Sequence, residues 1–573
     1  MFFARSTLLF ALLLLLGGVI SANELRIHNA EELIDFLNNV NSGTSYSGTT
    51  VYLDSDIDFN SSLSQQFEPI GNPSRRHFQG TFDGQGYTIS NLSLNSSSSH
   101  IGFFGYSKGA TIENVVLDSS CSFVSSCNSS NSDVGSISGV CESCTIDSFV
   151  NMASVTYIGS SSISPYIGGI VGRLLGSSII RNCVNYGSVT KSGISTTESN
   201  IGGIAGICGG SGTKSIQNCA NYGTITHNGE STYNLRMGGI AGNVLSGTVV
   251  IESCMSGGRV VNLKQASEGN YIGSVVGYIS SNFDPQTTII HCFWTSDVGY
   301  DDVYGYNETA VTVTDSSLKE LNEDTLDELN GYTEKNSTWD KWFMLHLNGG
   351  KINNLSKEAL IVTQKQFPGP VKKGNSFLNW CVDAGCTEVF DPNATSITNN
   401  TELYARYQVN SYTITFVFNN GKENEVRTLN FNESIVYPEN LTREGYIFAE
   451  WSPRPDTMPA EDITVTAQWI EITPELVEIV FEKKDLKEEE IREIIKEYTQ
   501  DKFTIEKIET DEGTGETKVI VKFEDRDTAE QFYRRVTESG RMGDTFVRVS
   551  FVDESDGNFN SLLCPLLLNY VFI

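Results

Sequence analysis

A short phrase that closes on a glycine returns six times between residues 101 and 292. The closing glycines are Gly105, Gly139, Gly172, Gly206, Gly242 and Gly277. They are 34, 33, 34, 36 and 35 residues apart. A nearly fixed period of this length is typical of stacked units that cannot bury their apolar faces alone. The period therefore predicts a fold built by stacking one unit on the next.

A second phrase follows each glycine phrase and alternates apolar with polar residues. Two of its copies are Ile180-Arg181-Asn182-Cys183 and Ile216-Gln217-Asn218-Cys219. Alternation with a period of two is typical of strands with one buried face and does not match the helical TPR, ankyrin and HEAT repeats. Small residues allow tight turns and close packing between coils. We therefore predict a mainly β chain in which residues 23–310 form a right-handed parallel β-helix (β-solenoid), with coils about 4.8 Å apart.

The glycine phrases resemble the GLUG motif of secreted and surface proteins. Four copies read Gly-x-x-Gly, and serine replaces the first glycine at Ser136 and Ser274. The segment from Gly80 to Leu92 resembles the coil that usually precedes this motif. The resemblance covers about residues 24–310 and implies a β-helical scaffold without catalytic residues.

The two ends of the chain carry apolar segments. Residues 1–22 have the pattern of a secretory signal peptide, with an apolar run from Leu8 to Leu16 that is too short to span a bilayer comfortably. The mature chain is therefore expected to be secreted or on the cell surface. The tail, residues 554–573, is also short for a membrane span. A weak GPI signal, a frayed terminus and an imperfect gene model remain the alternatives for it.

Two later segments share a different pattern of strand-like runs, glycines and one tryptophan. The clearer copy contains Tyr412-Thr413-Ile414-Thr415-Phe416, Arg443-Glu444-Gly445-Tyr446 and Trp451. It closely resembles the Listeria-Bacteroides (internalin B-type) repeat over residues 411–471, and residues 342–408 resemble a diverged copy. In known proteins such modules are stalks or weak binding units. The runs themselves predict small mixed β folds with Trp380 and Trp451 in their cores.

The remaining segments contain helical patterns. The leucines at 318, 321, 326 and 329 predict a helical cap or linker over residues 311–341. Residues 475–553 read as strand, helix, strand, strand, helix, strand, which is the ferredoxin-like α+β arrangement. An amphipathic helix from Ala30 to Val40 is expected to cover the first coil of the solenoid.

The net charge excludes some classes of partner. The chain has 39 Lys and Arg against 70 Asp and Glu, a net charge of −31. This charge argues against nucleic acid and against direct binding to anionic lipid. Residues 134–292 are nearly neutral, with seven basic and seven acidic residues, and their polar positions are mostly Ser, Thr, Asn and Tyr. They predict a neutral surface that could hydrogen-bond a glycan or protein ligand, although turns favour the same residues.

The candidates for catalysis or metal binding are few. Asp83 invites comparison with β-helical polysaccharide lyases or glycosidases, but a turn aspartate beside glycines is usually structural. Asp54, Asp56 and Asp58 could hold Ca²⁺ or could form a solvated acidic face. Histidine does not recur at the spacing of the repeat cysteines, and only His291 is close to one of them, so zinc is disfavoured. We predict no catalytic residue, metal or cofactor.

Cysteines and asparagines supply the modification candidates. Cys381 with Cys386 is the first candidate disulfide and Cys121 with Cys127 the second. The column Cys183, Cys219, Cys254 and Cys292 is expected to hold buried thiols. Eleven Asn-x-Ser/Thr sequons occur, at Asn60, Asn91, Asn95, Asn128, Asn307, Asn336, Asn354, Asn393, Asn399, Asn432 and Asn440. They avoid residues 134–292, which would leave the middle of the solenoid free of glycans.

These observations favour a non-catalytic, adhesin-like binding protein outside the cell, whose solenoid presents a face to a glycan or protein. A β-helical lyase or glycosidase is the enzymatic alternative, and a purely structural coat protein is the third hypothesis. The enzyme requires aligned acidic and basic residues on successive coils.

Overall fold

The structure is a computed structural model. It describes residues 24–552 except 60, 72–75, 129–131, 161, 163, 281–285, 309–310, 334–339, 354, 356–358, 364–366, 392–400, 472, 474, 484, 500–501 and 543–544. The predicted signal peptide and apolar tail therefore lie outside the described residues. Two compact units divide the chain: residues 1–372 with 377–407, and residues 373–376 with 408–573.

The first unit contains a parallel β-solenoid, which confirms the predicted fold class. In the described residues its strands form five parallel sheets, and each full coil gives one strand to each sheet. The first sheet contains Glu24–Ile27, Thr50–Leu53, Thr81–Asp83, Thr111–Glu113, Thr145–Asp147, Ile179–Arg181, Thr213–Gln217, Thr248–Glu252, Gln286–Ile290 and Val311–Thr314. The second contains Ile57–Asp58, Thr88–Ser90, Val116–Leu117, Val150–Asn151, Val184–Asn185, Ala220–Asn221, Met255–Ser256, Phe293–Trp294 and Ser317–Leu318.

The other three sheets complete each coil. The third contains Ser93–Ser96, Ser122–Ser125, Ser154–Tyr157, Val189–Lys191, Ile225–His227 and Val260–Asn262. The fourth contains His100–Ile101, Ser132–Val134, Pro165–Gly168, Ser199–Gly202, Leu235–Gly238 and Asn270–Gly273. The fifth contains Phe104–Lys108, Ser138–Glu142, Val171–Leu175, Ala205–Cys208, Ala241–Val244, Val276–Ile279 and Tyr304–Asn307.

Stacked identical side chains form the interior of the solenoid. Ile146, Ile180, Ile216 and Ile251 pair in register along the first sheet, and all four are fully buried. The alternating phrase of the sequence supplies one such residue per coil, so each coil covers the apolar face of the next. Burial at about 25 cal/mol per Å² of apolar surface makes this stacking the main stabilising contribution.

Helix α1, Ala30–Ser42, covers the first coil. Its Leu33, Phe36, Leu37 and Val40 are buried, as the amphipathic pattern predicts. The Asn29 side chain accepts a hydrogen bond from the backbone N of Glu32 (2.9 Å), which caps the start of the helix. A one-turn helix α2, Ser61–Ser64, follows later.

The solenoid continues beyond the predicted boundary at residue 310. Val311–Thr314 and Ser317–Leu318 pair with the preceding coil, so the predicted helical cap over residues 311–341 begins with strands. Alternating β-branched residues favour a strand here, whereas the prediction relied on leucine spacing. A 3-10 turn at Ser296–Val298 precedes these strands. Helix α3, Glu323–Thr333, follows them, and its Leu326 and Leu329 are buried.

The two small modules have the same mixed sheet. The first contains Trp342–His346, Ala359–Thr363, Asn375–Cys381 and Glu402–Val409. The second contains Ser411–Val417, Glu425–Asn430, Tyr446–Ser452 and Ile463–Glu471. In both, the first strand pairs antiparallel with the second and parallel with the fourth. The strand order is second, first, fourth, third.

The second unit ends in the predicted α+β domain. Its strands are Leu476–Phe481, Phe503–Asp511, Glu516–Phe523, Arg541–Met542 and Thr545–Phe551. Helices α4, Glu488–Thr499, and α5, Arg526–Ser539, pack their apolar residues on the antiparallel sheet. In this sheet the first and third strands are central, as in the ferredoxin-like arrangement.

Candidate functional site

The closing glycines lie where the fourth and fifth sheets of the solenoid meet. A β carbon added to Gly206 would lie 2.5 Å from the backbone N of Ile167 in the preceding coil. A β carbon added to Gly242 would lie 2.5 Å from Ile201 N, and one added to Gly277 would lie 2.5 Å from Met237 N. These glycines therefore allow two strands to approach more closely than any other residue permits.

The corner between these two sheets is concave on its outer side. Tyr166 and Arg236 alternate with the core residues Ile167 and Met237, so they point out of the solenoid. Nevertheless, the outward side chains of the fourth sheet contact those of the fifth sheet one coil further on. We call this surface the groove and each facing pair a rung. Three rungs are seen as side-chain contacts, namely Asp133 with Arg173, Arg236 with Tyr278, and Tyr271 with Tyr306. The strand register places Tyr166 opposite Ile207 and Asn200 opposite Asn243 as the two rungs between them.

One end of the groove is an ion-paired cluster. The fully buried Asp133 carboxylate accepts hydrogen bonds from Arg173 Nε and Nη2, both at 2.7 Å, and lies 2.7 Å from His100 Nδ1. Burial opposes the charge of Arg173, but the Asp133 carboxylate outweighs it and raises the pKa of Arg173. The Arg173 guanidinium also covers the Tyr166 ring at 4.8 Å. Both oxygens of Asp133 are thus engaged in a structural cluster.

The other end of the groove is aromatic. The rings of Tyr271, Tyr278 and Tyr306 lie 5.0 to 5.7 Å apart, and Tyr306 is 47% exposed. Arg236 stacks over Tyr278 at 3.9 Å and donates to the Glu198 carboxylate, with Nη2 at 2.7 Å from Oε1. Burial, together with the hydrogen bond to Glu308, raises the pKa of Tyr278, so this phenol stays neutral at physiological pH.

The rung between these two ends is different. Asn200 and Asn243 are fully buried, and the amide nitrogen and oxygen of each have no hydrogen-bond partner among the described residues. Leaving a buried polar group unpaired costs about 1–3 kcal/mol. Native structures rarely leave such groups without a water, an ion or a ligand.

A second outer face of the solenoid is covered by the first small module. Val184, Ala220 and Met255 of the second sheet point outward and form one apolar cluster with Leu326, Trp342 and Leu360. Tyr222 Oη donates to Ile361 O (2.7 Å) and accepts from Ile361 N (3.0 Å). This face is therefore an internal interface of the first unit.

Two Asn-Tyr-Gly segments of the repeats, Asn185-Tyr186-Gly187 and Asn221-Tyr222-Gly223, supply tyrosines expected on the neutral surface, and these tyrosines belong to this interface. Tyr186 and Tyr222 are buried beneath the first module, where Asn353 Nδ2 donates to Tyr186 O (2.6 Å). Asn185 points into the solenoid, where it accepts from Asn151 Nδ2 (2.7 Å) and donates to Asn221 Oδ1 (2.8 Å). The expected ligand face thus does not include these residues.

The aspartates considered for catalysis or calcium are engaged in turns and pairs. Asp83 accepts from Gln85 N (2.9 Å) and Asn114 Nδ2 (3.0 Å), which is a structural role. Asp54 pairs with Arg26 at 2.8 Å. Asp56 accepts from the backbone N of Thr88 and Asp58 from Asn91 Nδ2. Across the described ranges, no group of three or more His, Cys, Asp and Glu is arranged to hold a metal ion. His291 stacks on Tyr332 at 3.5 Å.

The cysteines divide as follows. Cys381 and Cys386 form a disulfide, with their α carbons 5.1 Å apart. The predicted bridge between Cys121 and Cys127 does not form, and both residues are buried thiols. The strand Ser122–Ser125 separates them, and an extended segment of that length holds two α carbons too far apart for a disulfide. Cys183, Cys219, Cys254 and Cys292 are buried thiols in one column.

Six of the sequons lie within the described residues. Asn91, Asn95, Asn128, Asn432 and Asn440 are exposed, and Asn307 is half-buried at the last coil. Asn60, Asn336, Asn354, Asn393 and Asn399 lie outside the described residues.

Sequence reasoning missed the groove residues, although their positions carry a signal. Tyr166, Asn200, Arg236 and Tyr271 each stand three residues before the first residue of a glycine phrase. Arg173, Ile207, Asn243 and Tyr278 each follow a closing glycine directly. Reading these two columns together would have identified the lining of the groove.

Comparison with known proteins identifies the two small modules. The model of the Listeria-Bacteroides repeat domain matches residues 343–406 and 412–468, which confirms both predicted copies. None of the helices in the part of the chain that is described is long and apolar enough to cross a membrane.

Three proteins resemble parts of the chain. A provisionally named membrane protein of Evansella cellulosilytica is 33% identical over 105 residues, 18% of this chain and 16% of the relative. A provisionally named glycine-rich membrane protein of that organism is 28% identical over 133 residues, 21% of this chain and 15% of the relative. The chain therefore spans about a sixth of these relatives. A Bacteroides ovatus crystal structure, provisionally named an immunoglobulin A1 protease, aligns with TM-score 0.41 and 20% identity over 60% of this chain and 93% of that chain.

Proposed function

We propose that this chain is an exported, non-catalytic surface protein that binds an extracellular glycan or protein through the groove of its solenoid. The observation that carries the proposal is the groove itself, a concave surface with an aromatic end, a charged end and an unpaired amide rung between them. Concave surfaces with a few convergent polar groups are the usual places for ligands. The two Listeria-Bacteroides repeats and the names of the two Evansella relatives, both membrane proteins, support a surface location.

The state of the acidic residues supports binding over catalysis. A glycosidase needs two carboxyl groups that can act as acid and base or nucleophile. In the groove, Asp133 is held by Arg173 and His100, and Glu198 is held by Arg236. A carboxylate that is already paired in this way is a poor proton donor or nucleophile.

Binding can be measured with the mature full-length chain. The protein is immobilised and exposed to glycan arrays, matrix proteins and intact cells, and we expect saturable binding to at least one class. Tyr306→Ala, which removes the exposed ring of the groove, should weaken that binding. Tyr233→Ala is the matched control, because Tyr233 is also exposed but is not a groove residue. Binding to none of these targets would contradict the proposal, as would equal loss in both variants.

A further inference from the structure

We infer that the ligand of the groove is a saccharide, and that Asn200 and Asn243 form its hydrogen-bonding subsite beside the stacking surface of Tyr271, Tyr278 and Tyr306. This inference rests on the proposed function and deepens it. It depends on three observations: the position of the two amides, their lack of partners, and the chemistry of the adjoining rungs.

The two amides face the same space. Asn200 directly precedes Ile201, and Asn243 directly follows Gly242, whose added β carbon would touch Ile201 N at 2.5 Å. Both side chains point out of the solenoid core, because their sheet neighbours Ile201 and Val244 point into it. By strand register Asn200 and Asn243 therefore face each other at the floor of the groove.

Their lack of partners defines what fits between them. An amide carries a donor and an acceptor. Neither end of either amide is bonded within the described structure, so both donors and both acceptors stay available to a ligand. A group that satisfies them must both donate and accept. A hydroxyl does both, whereas a bare cation or anion would use only one end of each amide.

The neighbouring rungs add the second half of a sugar site. Sugars combine hydroxyl groups at their edges with apolar C–H faces, and tyrosine rings offer a flat apolar surface with a polar tip. Tyr278 lies one rung from the amides, and Tyr271 and Tyr306 form the rung after it. The charge of Arg236 is balanced by Glu198, and Glu308 accepts a hydrogen bond from Tyr278, so Arg236 offers no uncompensated positive charge to an acidic ligand.

The groove must open for the ligand to enter. The amide atoms have no solvent access in the unbound chain. Arg236 occupies the next rung, and its Glu198 partner is 33% exposed. A swing of this ion pair toward solvent is the movement that would admit a sugar hydroxyl to the amides.

The test uses the full mature chain and neutral oligosaccharides as probes, namely cellohexaose, mannohexaose, maltohexaose and chitohexaose, titrated by calorimetry. We expect at least one to bind. The double variant Asn200→Leu with Asn243→Leu should weaken its binding by at least about tenfold. Its melting temperature should be unchanged or higher, because two unpaired buried amides become apolar side chains of similar size. Tyr306→Ala, at an exposed position, should weaken binding without affecting folding.

The outcomes separate this inference from the proposed function. Unchanged sugar affinity in the leucine double variant would overturn the subsite and leave the binding function intact. Binding to cells or proteins but to none of the oligosaccharides would overturn the saccharide and again leave the function intact. A lower melting temperature of the double variant would show that the amides stabilise the folded chain and do not stand unpaired, which also overturns the subsite. Binding to none of the cells, proteins or oligosaccharides would overturn both the subsite and the proposed binding function.

Discussion

The two Listeria-Bacteroides repeats share a sheet but differ in how they are buried. In the first copy Trp342, Phe343, Met344 and Leu345 are all buried, because the solenoid covers one face of the strand and the module's own core covers the other. In the second copy the strand Ser411–Val417 alternates, and only Ile414 and Phe416 are buried. The same module is thus an integral layer of the first unit in one case and a half-exposed sheet in the other.

This difference adds to what the family resemblance implies. In known proteins such modules are stalks or weak binding units, and in this chain the first copy packs along the solenoid. The polar contacts of the linker reinforce this packing: Asp340 N donates to Asn182 Oδ1 (3.0 Å) and Asp340 O accepts from Asn218 Nδ2 (2.8 Å). The second copy packs with the ferredoxin-like domain, where Lys507 Nζ donates to Phe448 O (2.7 Å). One sequence family therefore serves two packing environments.

The largest effect should come from removing one buried tryptophan from each copy, Trp342 in the first and Trp451 in the second. Trp342→Ala should cost about 3–5 kcal/mol and should loosen the solenoid as well, because Trp342 belongs to the cluster that joins the module to it. Trp451→Ala should cost a similar amount in the second unit and leave the solenoid amides protected. Hydrogen exchange of the backbone amides in both variants measures the protection of the solenoid. Unchanged protection of the solenoid in Trp342→Ala would show that the first copy is not an integral layer.

Removing a single hydroxyl tests the interface between the solenoid and the first copy with a smaller change. Tyr222→Phe removes a group that bonds both the N and the O of Ile361, and it should cost about 1–3 kcal/mol for each backbone group left unpaired. Tyr186→Phe is the matched control, because the buried Tyr186 hydroxyl has no partner among the described residues. It should be neutral or stabilising. Denaturant titration of both variants gives the comparison, and equal effects would contradict the interface.

The disulfide belongs to the first copy. Replacing Cys381 and Cys386 with serine should cost about 2 kcal/mol, as expected for opening a short loop. The second copy has no cysteine and should be insensitive to reducing agent. Thermal unfolding with and without dithiothreitol measures this. A reductant-dependent change in the second unit would contradict the assignment.

The smallest effect is a pH dependence confined to the first unit. Burial lowers the pKa of Lys191 from 10.5 to about 8. Its Nζ donates to Gly193 O (2.6 Å) and Glu230 O (3.0 Å). Between pH 8 and 10.5 the unfolded chain holds more protons than the folded chain, so the free energy of unfolding should rise with pH, by at most about 1.4 kcal/mol per pH unit.

Lys191→Met should remove this rise. Unfolding midpoints at pH 7.5 and 9.5, followed by a probe in the first copy, measure it in both proteins. An identical rise in the variant, or a rise that is reported only from the second copy, would contradict the assignment to Lys191.

Much of the fold was readable from local patterns. The glycine period and the alternating phrases predicted the solenoid, and the strand and helix order predicted the ferredoxin-like domain. The site was not read in the same way. Asn200 and Asn243 look like ordinary surface residues in the sequence, because their burial depends on a concave corner between strands of different coils.

The docking of the first copy was also missed, although a signal was present. The unbroken apolar run from Trp342 to Leu345 contrasts with the alternation of Tyr412 to Phe416. Runs of this kind indicate a strand buried on both faces. The sequence could therefore have shown that a second surface covers this copy, but it could not show which surface.

The sequence by itself determined the coil length, the inward residues and the module boundaries to within a few residues, because each depends on a periodicity inside one repeat. Only the tertiary structure decided which outward residues meet. Gly172, Gly206, Gly242 and Gly277 bring strands of successive coils into backbone contact. That contact turns an outer corner into a groove, and it places charged, amide and aromatic side chains from different repeats side by side.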